Sequence, residues 1–269
     1  MHALKVAIGG FGAIGFQVAS RLDQGIDGLK LAAVSANDLG RARETLATFR
    51  KPVPVMPLDG LAEVADIVVE CAPAAVFDMV AVPAVNHGRI FMPLSAGALL
   101  DRMDLVDKAR ATGARIIVPT GALVGFDAVR AAAEGTIHSV TMETRKPPAG
   151  LAGAPHLVEN GISLDRLNAP KLVFSGSARE GAKGFPANVN VAAALSLAGI
   201  GPDRTRLDIW ADPTVTRNTH KIVVDADSTR FTILIEGIPS QENPRTGRLT
   251  PLSVIACLKG LVAPLKVGS

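Results

Sequence analysis

Tyrosine is missing from this chain of 269 residues, Trp210 is its one tryptophan, and aromatic residues make up only 4%. Packing therefore falls to alanine, valine, leucine and 26 glycines, a composition suited to helices lying close on a sheet. Cysteine is nearly as scarce: Cys71 and Cys257 are too few to staple a small secreted scaffold, and they form no C-x-x-C pair of the structural-zinc kind. Neither sign of charge dominates. The chain has 28 Lys and Arg against 25 Asp and Glu, for a net +3, and the basic residues are scattered, which gives no footprint for nucleic acid. No run reaches the roughly 20 apolar residues of a membrane-spanning helix. The opening Met-His-Ala-Leu-Lys-Val-Ala-Ile-Gly-Gly breaks into glycine too soon for a secretory leader. H-E-x-x-H, G-x-S-x-G and a P-loop lysine are absent, so zinc peptidase, serine hydrolase and P-loop hydrolase readings have no footing, and no metal site is expected. The expectation is a cytoplasmic globular protein with no membrane or nucleic-acid partner.

What is present is a rhythm. Short β-branched runs alternate with helical stretches through the first half: strands at Leu4–Ile8, Leu29–Ser35, Ala65–Cys71, Arg89–Pro93 and Arg115–Val118, and helices at Ile14–Leu22, Arg41–Phe49, Val76–Asn86 and Asp101–Thr112. Ala65–Cys71 is a continuous apolar run of the kind buried on both faces. Such alternation predicts a parallel sheet wrapped by helices. Near residue 120 the rhythm changes. After a helix at Phe126–Glu134 come alternating segments at Thr136–Thr144, Lys171–Ser175, Arg206–Ala211, His220–Ala226 and Thr229–Glu236, with a helix at Ala187–Ala198 among them. These predict a second, mixed or antiparallel sheet. A last helix, Pro251–Leu261, follows a turn-rich stretch. The predicted organisation is α/β throughout: residues 1–120 as a first domain built on the parallel sheet, 121–247 as a second domain, and a helix within 248–269 that follows the second domain and could pack back on the first.

Gly10-Phe11-Gly12-Ala13-Ile14-Gly15 follows a strand and opens a helix. In that setting glycines permit a tight turn and close approach to a pyrophosphate, with the helix N-terminus facing the phosphates, as in a Rossmann domain. Gly10, Gly12, Ala13, Ile14 and Gly15 are accordingly the candidate residues for binding NAD or NADP. The second strand ends Ser35-Ala36-Asn37-Asp38 with no acid squarely at its tip. Asp38 lies slightly far along for the ribose, and a small polar tip with Arg41 and Arg43 nearby would tolerate a 2′-phosphate; alternatively Asn37 or Asp38 merely caps the helix beginning near Arg41. Cys71-Ala72-Pro73 and Ser95-Ala96-Gly97-Ala98 supply small residues at strand ends, where open α/β sheets hold ligands. Cys71 itself has nothing nearby to activate it. Thr120–Gly125 marks the crossing between domains.

In the second half, Asn188 and Asn190 stand where a helix opens, as caps or as amide donors to a ligand. Arg145-Lys146-Pro147-Pro148 is a rigid basic corner able to bind a carboxylate with paired cations, or merely a solvated turn. Of five histidines, His220 has the most polar setting, in Thr216–Lys221.

Taken together, Gly10–Gly15, Ser95–Leu99, Gly121–Gly125, Thr144–Pro148, Phe185–Ala193, Asn218–His220 and Asn243–Gly247 resemble the L-aspartate dehydrogenase family over nearly the whole chain. The asparagine-rich helix start and the N-x-H are the more specific marks. The resemblance implies an N-terminal Rossmann domain, a C-terminal α/β domain and a homodimer. The implied reaction, on the CH-NH2 group, oxidises L-aspartate to iminoaspartate with NAD or NADP; the product feeds NAD biosynthesis or hydrolyses to oxaloacetate and ammonia. It also implies that His220 is catalytic, that Ala122 and Asn188 contact the cofactor, and that Asn190 is their neighbour. Lys146, Arg145 and Asn190 are the candidates for the substrate carboxylates. A related oxidoreductase for another amino or hydroxy acid, or a non-catalytic NAD(P)-binding sensor, are the alternatives.

Overall fold

The computed structural model describes residues 3–186, 189–240 and 247–268, and divides into two compact units. The first comprises residues up to Pro119 together with Pro251–Lys266, and the second runs from Thr120 to Thr250 with the last few residues.

Unit one is a five-stranded parallel sheet with its helices. Its elements are β1 (Leu4–Gly9), α1 (Ala13–Gln24), β2 (Leu29–Ser35), α2 (Leu39–Ala47), α3 (Leu61–Val64), β3 (Ile67–Glu70), α4 (Phe77–Asn86), β4 (Ile90–Pro93), α5 (Ala96–Leu100), α6 (Asp104–Thr112) and β5 (Arg115–Ile116). The strand order is β2-β1-β3-β4-β5, all parallel. Chain connections leave β1 toward β2 on one side and continue to β3 on the other, so the order reverses between β1 and β3. Ligands settle at the carboxyl ends of strands at such a switch point. All four residues of β3 are buried, as the apolar run requires of a strand covered on both faces. The core gathers Val6, Ile8, Val18, Leu22, Val34, Ile67, Val69 and Met92.

Unit two contains α7 (Phe126–Ala133), β6 (Ile137–Lys146), α8 (Pro155–Glu159), β7 (Lys171–Ser177), α9 (Ala178–Gly184), α10 (Asn190–Ala198), β8 (Thr205–Ala211), β9 (Asn218–Ala226) and β10 (Arg230–Gly237). The sheet is mixed, in the order β10-β9-β6-β8-β7: β6 and β8 run parallel and the other pairs antiparallel. Side chains alternate across a strand, and β6 shows it plainly. Val140, Met142, Thr144 and Lys146 are buried, whereas Thr141, Glu143 and Arg145 turn to the other face. The buried face lies under helices: Gly199, just past α10, sits between Val129 of α7 and Val140, and Gly181 of α9 lies on Leu207 of β8. The last helix, α11 (Leu249–Gly260), gives Val254 and Leu258 to the core of unit one. Among the described residues no helix is long and apolar enough to cross a membrane.

Candidate active site

The glycine-rich turn of unit one has the form a dinucleotide phosphate needs. Gly10 adopts φ +103°, and a Cβ there would stand 2.6 Å from the Cys71 carbonyl oxygen, so only glycine fits between the ends of β1 and β3. A Cβ on Gly15 would collide with the Gly10 carbonyl, which is how closely α1 approaches the turn. Gly12 occupies the N-cap of α1, where no side chain caps the helix and no acid lies in the first turn. Intrahelical bonding starts with the Phe16 N–H to the Gly12 carbonyl at 2.8 Å. Helix geometry leaves the N–H groups of Ala13, Ile14 and Gly15 ahead of it without intrahelical acceptors. Open space around Gly12 completes a cradle matched to a pyrophosphate.

At the tip of β2 the structure shows a helix cap. The Asp38 carboxylate accepts the Arg41 N–H at 3.0 Å and is the N-cap of α2, while Arg41 and Arg43 are exposed. At the end of β3, sequence reasoning passed over Glu70. It is fully buried, and Ser95 donates to it twice, from its N–H at 2.9 Å and its hydroxyl at 3.0 Å. Burial raises the Glu70 pKa and the Ser95 bonds partly offset the rise. This link ties the end of β3 to the turn after β4, both at the ligand edge of the sheet. Its one visible signal is an acid closing an apolar strand. Burial, with the Glu70 charge beside it, pushes the Cys71 thiol well up, in keeping with an unactivated cysteine.

In unit two the buried sheet face carries an unusual polar group. Thr144 and His220 face each other directly across β6 and β9, and Thr144 Oγ1 lies 3.1 Å from His220 Nδ1. Lys146, two residues along β6, shares that face and is also buried. Loss of hydration lowers the Lys146 pKa to about 8. The same loss, with the Lys146 charge adding to it, lowers that of His220 to about 3. The imidazole is therefore neutral at neutral pH, beside a buried cation that is still mostly charged. Thr144 opens the T-R-K-P-P segment, but its partner 76 residues away becomes visible only with the strand pairing.

Arg145 is not part of this group. β6 extends two residues beyond the predicted Thr144, so alternation sends the neighbouring cations to opposite faces. Arg145 bonds Glu143 at 2.7 Å and Asp212 at 3.1 Å and lies over the Trp210 ring, 4.9 Å from its centre. This corrects the expectation of paired cations at one corner. Asn190 is the first residue of α10 and is exposed, with Val189 at the N-cap, so it does not cap the helix. Asn188 lies outside the described residues. Ala122 is half-buried in unit two, beside the space above Gly247. The remaining described histidines have ordinary settings. His87 contacts the Pro83 carbonyl, His138 is exposed, and His156 packs on Phe174 and Phe185. Among the described residues no cluster of histidine, cysteine and carboxylate could hold a metal ion.

Residues 127–261 match the family described as aspartate dehydrogenase, C-terminal, and residues 10–119 match the NAD-binding domain described for homoserine dehydrogenase. The chain is 58% identical to an L-aspartate dehydrogenase of Bradyrhizobium diazoefficiens, with 99% of this chain and 94% of the relative covered. It is 53% identical to L-aspartate dehydrogenase 3 of Bordetella bronchiseptica, covering 99% and 98%. In fold it is similar to the crystal structure of aspartate dehydrogenase from Thermotoga maritima, with a TM-score of 0.73 at 24% identity, covering 99% of this chain and 100% of that one.

Proposed function

The chain belongs to the L-aspartate dehydrogenase family, and from that premise we propose that it oxidises L-aspartate to iminoaspartate, or runs the reverse reductive amination, with NAD or NADP. The observation that carries this reading is the buried polar group of unit two, where His220, Thr144 and Lys146 stand together on the buried sheet face. Maintaining a neutral imidazole and a cation there costs stability, so their presence needs a chemical reason.

His220 is the catalytic residue in this reading, an uncharged ring that orients the substrate at the carboxylate beside the reacting carbon. Lys146 supplies positive charge to one carboxylate of a dicarboxylic substrate, and its burial strengthens that attraction. Asn190 is a further amide candidate, and Ala122 and Asn188 are cofactor contacts by resemblance to the family. Gly10, Gly12, Ala13, Ile14 and Gly15 hold the pyrophosphate. The nicotinamide, when bound, supplies the hydride acceptor for the substrate α-carbon. The Asp38 carboxylate caps α2, and exposed Arg41 and Arg43 stand nearby; this supports acceptance of both NAD and NADP. The enzyme works in the cytoplasm as a homodimer and delivers iminoaspartate to NAD biosynthesis. Leu172 and Leu234, exposed on the sheet face that carries Trp210, support self-association.

Reduced-cofactor absorbance tests the reading, with aspartate plus NAD or NADP in one direction and oxaloacetate, ammonia and reduced cofactor in the other. Turnover with aspartate is expected, and His220→Ala should lower kcat by about 100-fold or more while cofactor affinity holds. Activity confined to another amino or hydroxy acid defeats the substrate assignment, and near-normal turnover in the variant defeats that of His220.

A further inference from the structure

We infer that Thr144 is a positioning residue that fixes the His220 tautomer: its hydroxyl donates to Nδ1, so the ring proton sits on Nε2 and His220 meets the reactants as a hydrogen-bond donor. This rests on the reading of His220 as the catalytic group and specifies what that group presents.

The argument is an accounting of hydrogens. Thr144 is buried on the helix-covered face, and His220 lies directly opposite it across the β6–β9 ladder with Oγ1 and Nδ1 3.1 Å apart. Among the described residues that nitrogen is the hydroxyl's one hydrogen-bond partner. A hydroxyl has a single hydrogen to give, and a neutral imidazole has one bare nitrogen to receive it. If Nδ1 held the ring proton, the Thr144 hydrogen would be left without an acceptor inside the fold, an arrangement buried hydroxyls avoid. With the hydroxyl donating, both groups are satisfied and Nε2 carries N–H.

The ring's charge state permits this. Burial and the nearby Lys146 charge keep His220 neutral throughout the neutral range, so a choice between tautomers exists. A fixed hydrogen bond at one ring nitrogen is what sets the other. Nε2 takes no protein partner among the described residues, leaving it for the reactants. An N–H donor at that point matches a carboxylate oxygen of the substrate or the oxygen of a hydrated imine. It does not match proton removal from the substrate ammonium, which falls to another base.

The test reads the ring directly. Two-bond nitrogen–proton correlation spectra of the full-length protein, labelled at histidine nitrogen and compared with His220→Gln to assign the ring, are expected to show Nδ1 bare and Nε2 protonated without any substrate. Thr144→Val should abolish that fixed pattern and lower kcat at least about tenfold, with the cofactor KM unchanged. Thr144→Ser, which keeps the hydroxyl, should restore both. A wild-type ring protonated at Nδ1 overturns the inference, as does a Thr144→Val enzyme with the wild-type ring pattern. Because the spectra need no turnover, failure of the aspartate assignment would appear in the substrate assays and leave this result readable.

Discussion

At the scale of single residues, His220 and Lys146 are held in states that oppose folding. The His220 pKa is about 3 in the folded chain, below the unfolded value near 6.5. As pH falls, the unfolded chain takes up this proton first. Stability linked to the neutral ring is complete above about pH 6.5 and drains away toward pH 3, at up to about 1.4 kcal/mol per unit. Denaturant midpoints measured at pH 7.5 and 5.5 should therefore fall more steeply for the wild type than for His220→Gln, and equal slopes would refute the assignment. Lys146 carries the larger cost at neutral pH, since its pKa falls from 10.5 to about 8 on burial, equivalent to about 3 kcal/mol. Lys146→Met is expected to raise the thermal midpoint while depressing turnover of aspartate, a separation that scanning calorimetry and assay together would reveal. Much of this was legible residue by residue: the glycine fingerprint and the N-x-H stand in the sequence. Arg145 was misread because its neighbour Lys146 was taken as part of a corner. The strand continues through both, and in a strand adjacent side chains diverge.

At the scale of elements, periodicity located the long strands and helices to within a few residues. Leu29–Ser35 has the predicted bounds, and Phe126–Ala133 ends one residue early. The short helices α3, α5, α8 and α9 were not foreseen, because one or two turns carry too few apolar positions to establish a period. For α9 a different signal existed. Ser177 and Glu180 form a capping box, each side chain bonding the other's backbone N–H, and this offsets the poor helix propensity of Gly181 and Gly184. Ser177→Ala should cost about 1 kcal/mol, measurable by chemical denaturation, and should leave the cofactor KM unchanged. The bond between Glu70 and Ser95 joins the end of β3 to the turn after β4 at the ligand edge of unit one. Glu70→Ala would leave the Ser95 N–H without its acceptor, and a several-fold rise in the cofactor KM is expected with kcat less affected. An unaltered KM would show that the link serves stability alone.

For the whole molecule, the chain divides after Pro119 and again before Pro251. What sequence could not supply was pairing across long intervals, such as β6 with β8 and β9, because register depends on contacts between segments far apart in the chain. The placement of α11 has a consequence for synthesis. Val254 and Leu258 complete a core whose other fully buried members lie before residue 93, so the nucleotide-binding unit emerges from the ribosome first but lacks part of its interior until the whole second unit has been made. The intervening second unit has all its strands in one continuous stretch and is free to fold earlier. A nascent chain stalled before Pro251 should therefore show protease resistance in the later-made unit and sensitivity in the earlier one, reversing the usual order of vectorial folding.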